Sequence, residues 1–292
     1  MSTTNPRWQT LPGVRVRERA PAAAEPGPGR RRARTAGWQR AVSPIVLLVV
    51  WQLTNVVQLV SPTKLPPPTK VVSEAWTLIT TNSPAYGGTL QHALLVSLER
   101  MAIGFACGGA AALLLALVAG LSRRGEDAVD PLMQMVRTLP LFGLVPVFIV
   151  WFGIGQLPKI LLIAIAAVVP LYLNAFSGIR GVDGRLRELA RSLGLSRRET
   201  ITQIVLPGAL PATLVGLRQS LGVAWLALVV AEQINANSGL GFIINQGEQF
   251  NQNNVIFVAL IVYTILGLLT DWIVRIFERR ALAWRTPAGA RA

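Results

Sequence analysis

The sequence is poor in the residues that most enzymes use for catalysis and metal binding. It contains one cysteine, Cys107, and one histidine, His92, among 292 residues. A single cysteine excludes a disulfide within the chain. A single histidine argues against a histidine-based metal site and against a Ser–His–Asp triad. We therefore assign no catalytic residue and no metal ligand.

The sequence also lacks the pattern G-x-x-x-x-G-K-[ST]. This pattern forms the loop whose backbone N–H groups hold nucleotide phosphates in P-loop NTPases. Its absence indicates that the chain is not itself such an ATPase.

What the sequence has in abundance is apolar residues. Hydrophobic residues make up 52% of the chain, and the mean hydropathy is +0.47, which is typical of an integral membrane protein. About 20 apolar residues cross the roughly 30 Å of hydrocarbon in a bilayer. Six segments meet this length, at 41–60, 101–121, 132–152, 159–178, 212–234 and 255–275. The prediction is an all-α membrane protein with six transmembrane helices.

Two of these segments have unusual compositions. The second contains GFACGGAAALLLALVAGL, and such small residues allow membrane helices to approach closely. The third contains Pro140, Gly143 and Pro146, so we expect a kinked helix or one that starts late.

The basic residues predict the orientation. If the N-terminus is cytoplasmic and the six spans alternate, nearly all of the 28 Lys and Arg residues fall in cytoplasmic segments. The exceptions are Lys64, Lys70, Arg100, Lys159 and Arg218. Such a bias is the positive-inside pattern of membrane proteins, and it explains the net charge of +14 without nucleic acid. We predict a multi-pass protein of the inner (plasma) membrane with both termini in the cytoplasm.

This topology divides the chain into five parts. They are a disordered basic cytoplasmic tail at 1–40, a first transmembrane helix at 41–60, a periplasmic segment at 61–93, a core with five transmembrane helices at 94–280, and a cytoplasmic tail at 281–292. Within the periplasmic segment, VVSEAWTLIT suggests a short helix that lies on the membrane surface.

A polar loop at 179–211 contains signals for two short helices. Asp183 is suited to cap the first helix, and Gly194 is suited to end it in a left-handed conformation. Ser196 and Glu199 form a capping box that starts a second helix, which we expect Pro207 to end. The first helix has an apolar stripe along one face. Its residues have the spacing i, i+3, i+4 and i+7 and are Leu186, Leu189, Ala190 and Leu193.

This helix pair has three interpretations. The spacing of ELARSLGLSRRET is similar to that of a DNA-binding helix-turn-helix. However, Thr200 occupies a position that is usually apolar there, and short tethers to two spans hinder docking in a major groove. The pair can also be a loop that folds against the membrane. The third interpretation is a docking element for a soluble partner.

A family resemblance favours the third interpretation. The pattern E-A-A-x₃-G-x₉-I-x-L-P is the signature of permease subunits of bacterial ABC importers. The chain matches it at Glu188, Ala190, Gly194, Ile204, Leu206 and Pro207, and departs only at Leu189. Segments such as RTLPLFGLVPVFIVWFGIGQLPKILLIA and SGLGF resemble the sequences of one branch of this family, which transports aliphatic sulfonates, taurine and nitrate. The resemblance is strongest to the sulfonate permeases of that branch.

The resemblance implies a type I importer permease fold in which the loop at 179–211 carries a coupling helix for an ATPase subunit. It also implies that ATP and Mg²⁺ bind to that subunit, that two permease copies form the pore as a homodimer, and that an external solute-binding protein delivers the substrate. The implied substrate is an aliphatic sulfonate, with taurine, nitrate or another small anion as alternatives. A secondary transporter that works alone is a further alternative, although we see neither inverted repeats nor a charged relay.

Polar residues within the fifth and sixth spans are costly to bury in lipid, so each is a candidate for a specific role. On the fifth span, the candidates for the substrate pathway are Arg218, Gln219, Ser220, Trp225 and Gln233. Arg218 either extends its side chain to the cytoplasm or faces the pathway. For Glu232 and Gln233, a gate or helix-contact role is favoured over substrate binding. Asp271 and Arg275, spaced i and i+4, are expected to pair.

Overall fold

A computed structural model describes residues 37–234 and 236–283. All regular elements in these two ranges are helical. They are α1 (Gly37–Val56), α2 (Pro68–Thr80), α3 (Leu90–Leu121), α4 (Arg123–Thr138), α5 (Leu144–Phe152), α6 (Gln156–Arg180), α7 (Gly184–Ser192), α8 (Arg197–Thr200), α9 (Leu206–Gln233), α10 (Leu240–Gln249) and α11 (Asn253–Ala281).

The chain separates into two compact units, Met1–Leu47 and Leu48–Ala292. The described part of the first unit is the beginning of α1, where Ile45, Val46 and Leu47 are exposed. All contacts discussed below lie in the second unit.

The core of the second unit is built around α6, which packs along both α3 and α9. Small residues permit this packing. A Cβ atom on Gly108 of α3 would lie 2.3 Å from the backbone oxygen of Ala164, and one on Gly216 of α9 would lie 2.6 Å from Cβ of Asn174. No larger side chain fits at these crossings, so the close approach predicted for the second span is confirmed.

Four helical stretches are long and apolar enough to cross a membrane: Leu90–Leu121, Leu157–Arg180, Arg197–Gln233 and Asn253–Ala281. A bent pair of helices, Arg123–Thr138 with Leu141–Phe152, makes a fifth if it counts as one span. In α1, Ile45–Val56 is apolar but shorter. The predicted all-α membrane fold is confirmed, whereas the count of six spans stays a prediction.

The kink predicted within residues 132–152 is present. The helical stretches Arg123–Thr138 and Leu141–Phe152 meet at an angle of 82°, and Pro140 caps a 3₁₀ turn at Leu141–Gly143 that joins them. Proline has no N–H to donate to a helix and disfavours helical backbone in the residue before it, here Leu139, which is extended.

The prediction that Pro207 ends a helix is wrong. A π-helical turn at Ile201–Val205 follows α8, and Pro207 lies in the first turn of α9, so helix continues from Arg197 to Gln233. The first turn of an α-helix tolerates proline because its N–H groups need no partner within that helix. The short helix is therefore continuous with the span that follows it.

The segment before α3 packs onto the core rather than standing apart. Val71 and Leu78 of α2 are buried, and α2 contacts α11. The indole Nε1 of Trp51 donates a hydrogen bond to the Pro66 backbone oxygen at 3.1 Å. A short helix is thus present where VVSEAWTLIT predicts one.

Of the predicted tails, residues 1–36 and 284–292 lie outside the described residues. The boundaries of the five parts stay predictions. Helix α1 begins at Gly37, before the predicted start of the first span at 41, and α11 extends through Ala281.

Candidate docking site and buried polar cluster

The first short helix, α7, begins and ends where the local signals predict. The carboxylate of Asp183 accepts a hydrogen bond from the Arg185 N–H at 2.9 Å. Gly194 has a φ of 71° and donates to the Arg191 oxygen at 3.0 Å, while Leu195 donates to the Ala190 oxygen at 3.0 Å. These two bonds form a Schellman motif, so the left-handed role of Gly194 is confirmed.

The second short helix, α8, has the predicted capping box. The Ser196 hydroxyl accepts a hydrogen bond from the Glu199 N–H at 3.3 Å, and the Glu199 carboxylate accepts one from the Ser196 N–H at 2.8 Å. Hydrogen bonds from Ser196 lower the pKa of Glu199 because they favour the charged carboxylate. The turn between α7 and α8 is thus fixed on both sides.

The apolar stripe of α7 points away from the chain at three of its four positions. Ala190 is 1% exposed, whereas Leu186, Leu189 and Leu193 are 48%, 55% and 69% exposed. A small residue therefore faces the core, and about half or more of each of the three leucine side chains stays exposed. Helices of this kind normally bury such a stripe, so it is a candidate surface for another molecule.

The motif residues separate into two groups. Glu188 and Leu189 lie exposed on α7, and Gly194 lies exposed in the turn. Ile204 is half-buried against the cluster formed by α3, α6 and α9, and Pro207 is half-buried at the start of α9. One group is available to a partner, and the other anchors the helix pair to the spans.

The predicted pathway residues do not gather at one place. Arg218 and Trp225 line a cavity of about 230 Å³ between α9 and α11. Ser220 is fully buried and donates to the Leu217 oxygen at 2.9 Å. Gln219 accepts a hydrogen bond from Asn174 of α6 at 2.9 Å, and the Gln233 backbone oxygen accepts one from Asn245 at 3.1 Å.

Arg218 pairs with acidic side chains of α11. Its guanidinium pairs with Glu278, and its Nε lies 3.2 Å from an Asp271 carboxylate oxygen. The other oxygen of Asp271 accepts a hydrogen bond from Arg275 at 2.7 Å, so the predicted Asp271–Arg275 pair is confirmed. These side chains are between about a third and more than half exposed.

A buried cluster around Glu232 was not predicted as a unit. The Glu232 carboxylate lies 2.6 Å from Nη1 of Arg100, and the two side chains are 0% and 4% exposed. Its oxygens also accept hydrogen bonds from the Ser97 hydroxyl at 2.8 Å, the Tyr263 hydroxyl at 2.9 Å and the Gly241 N–H at 2.9 Å. The carboxylate thus joins α3, α9, α10 and α11.

Arg100 is held on its other side as well. It donates to the Ser238 backbone oxygen at 2.7 Å and to the Gln156 side chain at 2.5 Å. Every charge in this cluster has a partner, as burial away from water requires. These contacts agree with the helix-contact alternative for Glu232. The sequence contains one signal for this pair. A single Arg and a single Glu within apolar helices each need an opposite charge at the same depth in the membrane, which makes them candidates to pair.

Together, the packed apolar helices define a membrane-embedded protein with an exposed, capped helix pair in the chain between two of its long apolar helices. The chain belongs to the family of binding-protein-dependent transport system inner membrane components, whose model matches residues 76–282.

Relatives agree with this assignment. The putative aliphatic sulfonates transport permease protein SsuC of Bacillus subtilis is 42% identical over 88% of this chain and 91% of its own length. The protein of the same name from Escherichia coli is 43% identical over 82% and 89%. The taurine transport system permease protein TauC of Escherichia coli is 35% identical over 82% and 86%.

The fold is also similar to a solved one. A chain of an amino acid ABC transporter with histidines aligns with a TM-score of 0.55 and 19% identity, covering 64% of this chain and 92% of that one. The family match and the relatives together show that the protein is a permease subunit of an ABC transporter. In such systems a separate subunit hydrolyses ATP, and a solute-binding protein takes part.

Proposed function

We propose that the chain forms half of the pore of an importer in the inner membrane, with α7 as the helix that docks into the ATPase subunit. The single observation that carries this proposal is the exposed leucine stripe of α7. It is held by a capped turn whose polar groups are satisfied within the chain.

The connections of the helix pair support a mechanical role. Only residues 181–183 separate α6 from α7, and helix runs from Arg197 without a break into α9. A displacement of α7 is therefore passed to α6 and α9, which pack along each other. Closure of the ATPase would move the helix pair and reorient these spans, as alternating access requires.

In this proposal both termini and the helix pair face the cytoplasm, two copies of the chain form the pathway, and an external binding protein delivers the substrate. The basic residues that crowd the N-terminal tail, the loop at 179–211 and the region after Arg275 support the orientation. A single cysteine at Ser196 in a Cys107→Ser background should be labelled only from the inside. One at Asn251 should be labelled only from the outside.

The substrate that we propose is an aliphatic sulfonate. The similarity to two sulfonate permeases at 42% and 43% identity supports it. Selection would occur mainly on the binding protein. Of the five predicted pathway residues, Arg218 and Trp225 line the cavity between α9 and α11 and would form part of the pathway there. Reconstituted transporter should be offered alkanesulfonates, taurine and nitrate in parallel, each with its binding protein. Uptake of taurine or nitrate without any alkanesulfonate would refute the choice of substrate.

The docking role is tested by the variant Leu186→Ser/Leu189→Ser. A leucine moved from water into an apolar groove contributes about 1.5–3 kcal/mol, so the double variant should bind the ATPase at least about tenfold more weakly. The matched control is Val72→Ser/Trp76→Ser, which removes two exposed apolar side chains from α2, outside the predicted spans. Equal ATPase copurification by both variants would refute docking through α7, and no ATPase on the unaltered protein would favour a transporter that works alone.

A further inference from the structure

A cavity of about 510 Å³ lies beside the helix pair. Its wall is formed by the turn between α3 and α4, the end of α6, and the inner faces of α7 and α8. The residues that line it are Gly120, Leu121, Ser122, Arg123, Ile179, Arg180, Arg187, Arg191, Leu195, Arg197, Thr200, Ile201 and Val205. Five of them are arginines and none is acidic.

Two of these arginines are fixed in place through only part of their guanidinium groups. Nη2 of Arg180 pairs with Glu126, and its guanidinium carbon lies 5.9 Å from the centre of the Phe176 ring. Nη2 of Arg187 donates to the Val182 oxygen at 2.9 Å and to the Arg180 oxygen at 3.3 Å. These contacts immobilise the side chains without using all of their donors.

The Nε atoms of Arg180 and Arg187 are buried and have no hydrogen-bond partner among the described residues. A buried N–H of a charged group without an acceptor is costly. The remaining arginines of the lining, Arg123, Arg191 and Arg197, are exposed and approach the cavity from α4, α7 and α8. Arg180 already has a carboxylate partner, but the other four positive charges around the cavity repel one another. An anion in the cavity would relieve this repulsion and would accept hydrogen bonds from the exposed guanidinium groups.

From this arrangement we infer that the cavity binds a tetrahedral oxyanion of the phosphate or sulfate type. The guanidinium group offers parallel N–H donors that match such oxygens. Because the arginines come from several sides, a ligand with oxygens in several directions fits better than a planar carboxylate. The volume far exceeds the roughly 30 Å³ of one water molecule, so the anion enters with part of its hydration. The oxyanion is either free in solution or part of a phospholipid headgroup, which basic pockets at helix ends can hold.

The test uses the full-length protein together with its ATPase in phosphatidylcholine nanodiscs and measures binding of radiolabelled sulfate, with inorganic phosphate as competitor. Arg191→Gln/Arg197→Gln removes two exposed charges from the lining, one on α7 and one on α8. The matched control Arg185→Gln/Arg198→Gln removes two charges from the same helices at exposed positions outside the lining. Both variants lower the net charge equally, so a difference between them reports on the cavity alone.

We expect saturable sulfate binding that weakens at least about tenfold in the lining variant and by less than about twofold in the control, since hydrogen bonds between charged groups are the strong ones. If phosphatidylglycerol in the nanodisc displaces sulfate from the protein, the oxyanion comes from a lipid. If it does not, the oxyanion is free, and both results support the site. Absence of saturable binding, or an equal loss in both variants, would overturn it.

Binding to the permease that disappears when the ATPase is present would also overturn the inference, because the arginines would then face the partner. The experiment separates this inference from the proposed docking of α7. Sulfate binding by a permease that never associates with an ATPase would contradict the docking proposal and leave the oxyanion site in place.

Discussion

The two ends of α9 differ in whether the polar and apolar groups around them have partners within the chain. At one end, Glu232 and Arg100 are buried, and each is surrounded by partners from the same chain. At the other end, the helix pair leaves leucines exposed and the Nε atoms of Arg180 and Arg187 without acceptors. The first end is complete within one chain, whereas the second leaves apolar side chains exposed beside a cavity lined by arginines.

This contrast separates stability from assembly. Changes in the Glu232 cluster should act mainly on the stability of the chain, because they leave a charge without its partner in a dry environment. Changes on the exposed faces of the helix pair should act mainly on binding, because surface substitutions seldom alter stability by more than about 0.5 kcal/mol. The predictions below test this division, from the largest expected effect to the smallest.

The largest effect is expected for Glu232→Ala. Arg100 would stay buried without its carboxylate, and breaking a buried pair in this way costs about 3–5 kcal/mol. Thermal unfolding of the detergent-solubilised protein should show the loss, and Glu248→Ala, at an exposed position, serves as the control. If the variant does not accumulate, Glu232→Gln keeps hydrogen-bonding capacity and should give a smaller loss. An unchanged midpoint in Glu232→Ala would show that the cluster does not support the fold.

The pairing itself is tested by Arg100→Met/Glu232→Leu. Removing both charges avoids leaving either one buried alone, so the double variant should be more stable than the sum of its two single variants predicts. Contacting residues show such coupling at about 0.5–3 kcal/mol. Strictly additive losses would mean that the two side chains act independently, despite the 2.6 Å between them.

A smaller effect is expected for Gly194→Val. The left-handed backbone at this position costs a residue with a Cβ atom about 1–2 kcal/mol, although the space around it is open. Gly184→Val is a close control, because nothing lies near that position either and its φ is not positive. Trypsin should cleave the turn between α7 and α8 faster in Gly194→Val only, and less ATPase should copurify with that variant. Equal cleavage of both variants would remove the conformational explanation.

The sequence predicts the local features of the helix pair because each depends on neighbours in the chain. Asp183, Gly194 and the Ser196–Glu199 capping box act over a few residues, and the structure has each of them where it is expected. Arg100 and Glu232, by contrast, are 132 positions apart in the chain. Nothing in a single sequence shows which helices will pack against each other. The prediction that Pro207 ends a helix is wrong for a related reason. The local rule disfavours helix before proline, but a π-helical turn brings the proline into the first turn of α9.

Asp271→Asn should have a minor effect. Asp271 contacts Arg218 and Arg275, but these side chains are partly exposed, so solvent screens the pairs and each contributes about 0–1 kcal/mol. Thermal unfolding should therefore shift far less than in Glu232→Ala. A loss as large as that of Glu232→Ala would show that the Arg218 region is as dry as the Glu232 cluster, and the contrast between the two would no longer hold.

The smallest effect is expected from the pH dependence of the capping box. Glu199 has a pKa below its ordinary value of 4.5 because Ser196 donates hydrogen bonds to its carboxylate. A depressed pKa means that its stabilising contribution is fully present above the unfolded value and is lost as the pH falls through the lower, folded value. Near neutral pH, hydrogen exchange of the Ser196 amide should therefore be faster in Glu199→Ala than in the unaltered protein. As the pH falls well below 4.5, the two proteins should become alike at each pH, because protonation removes the carboxylate that the variant lacks. A difference that persists at low pH would show that Glu199 protects the amide through packing rather than through its charge.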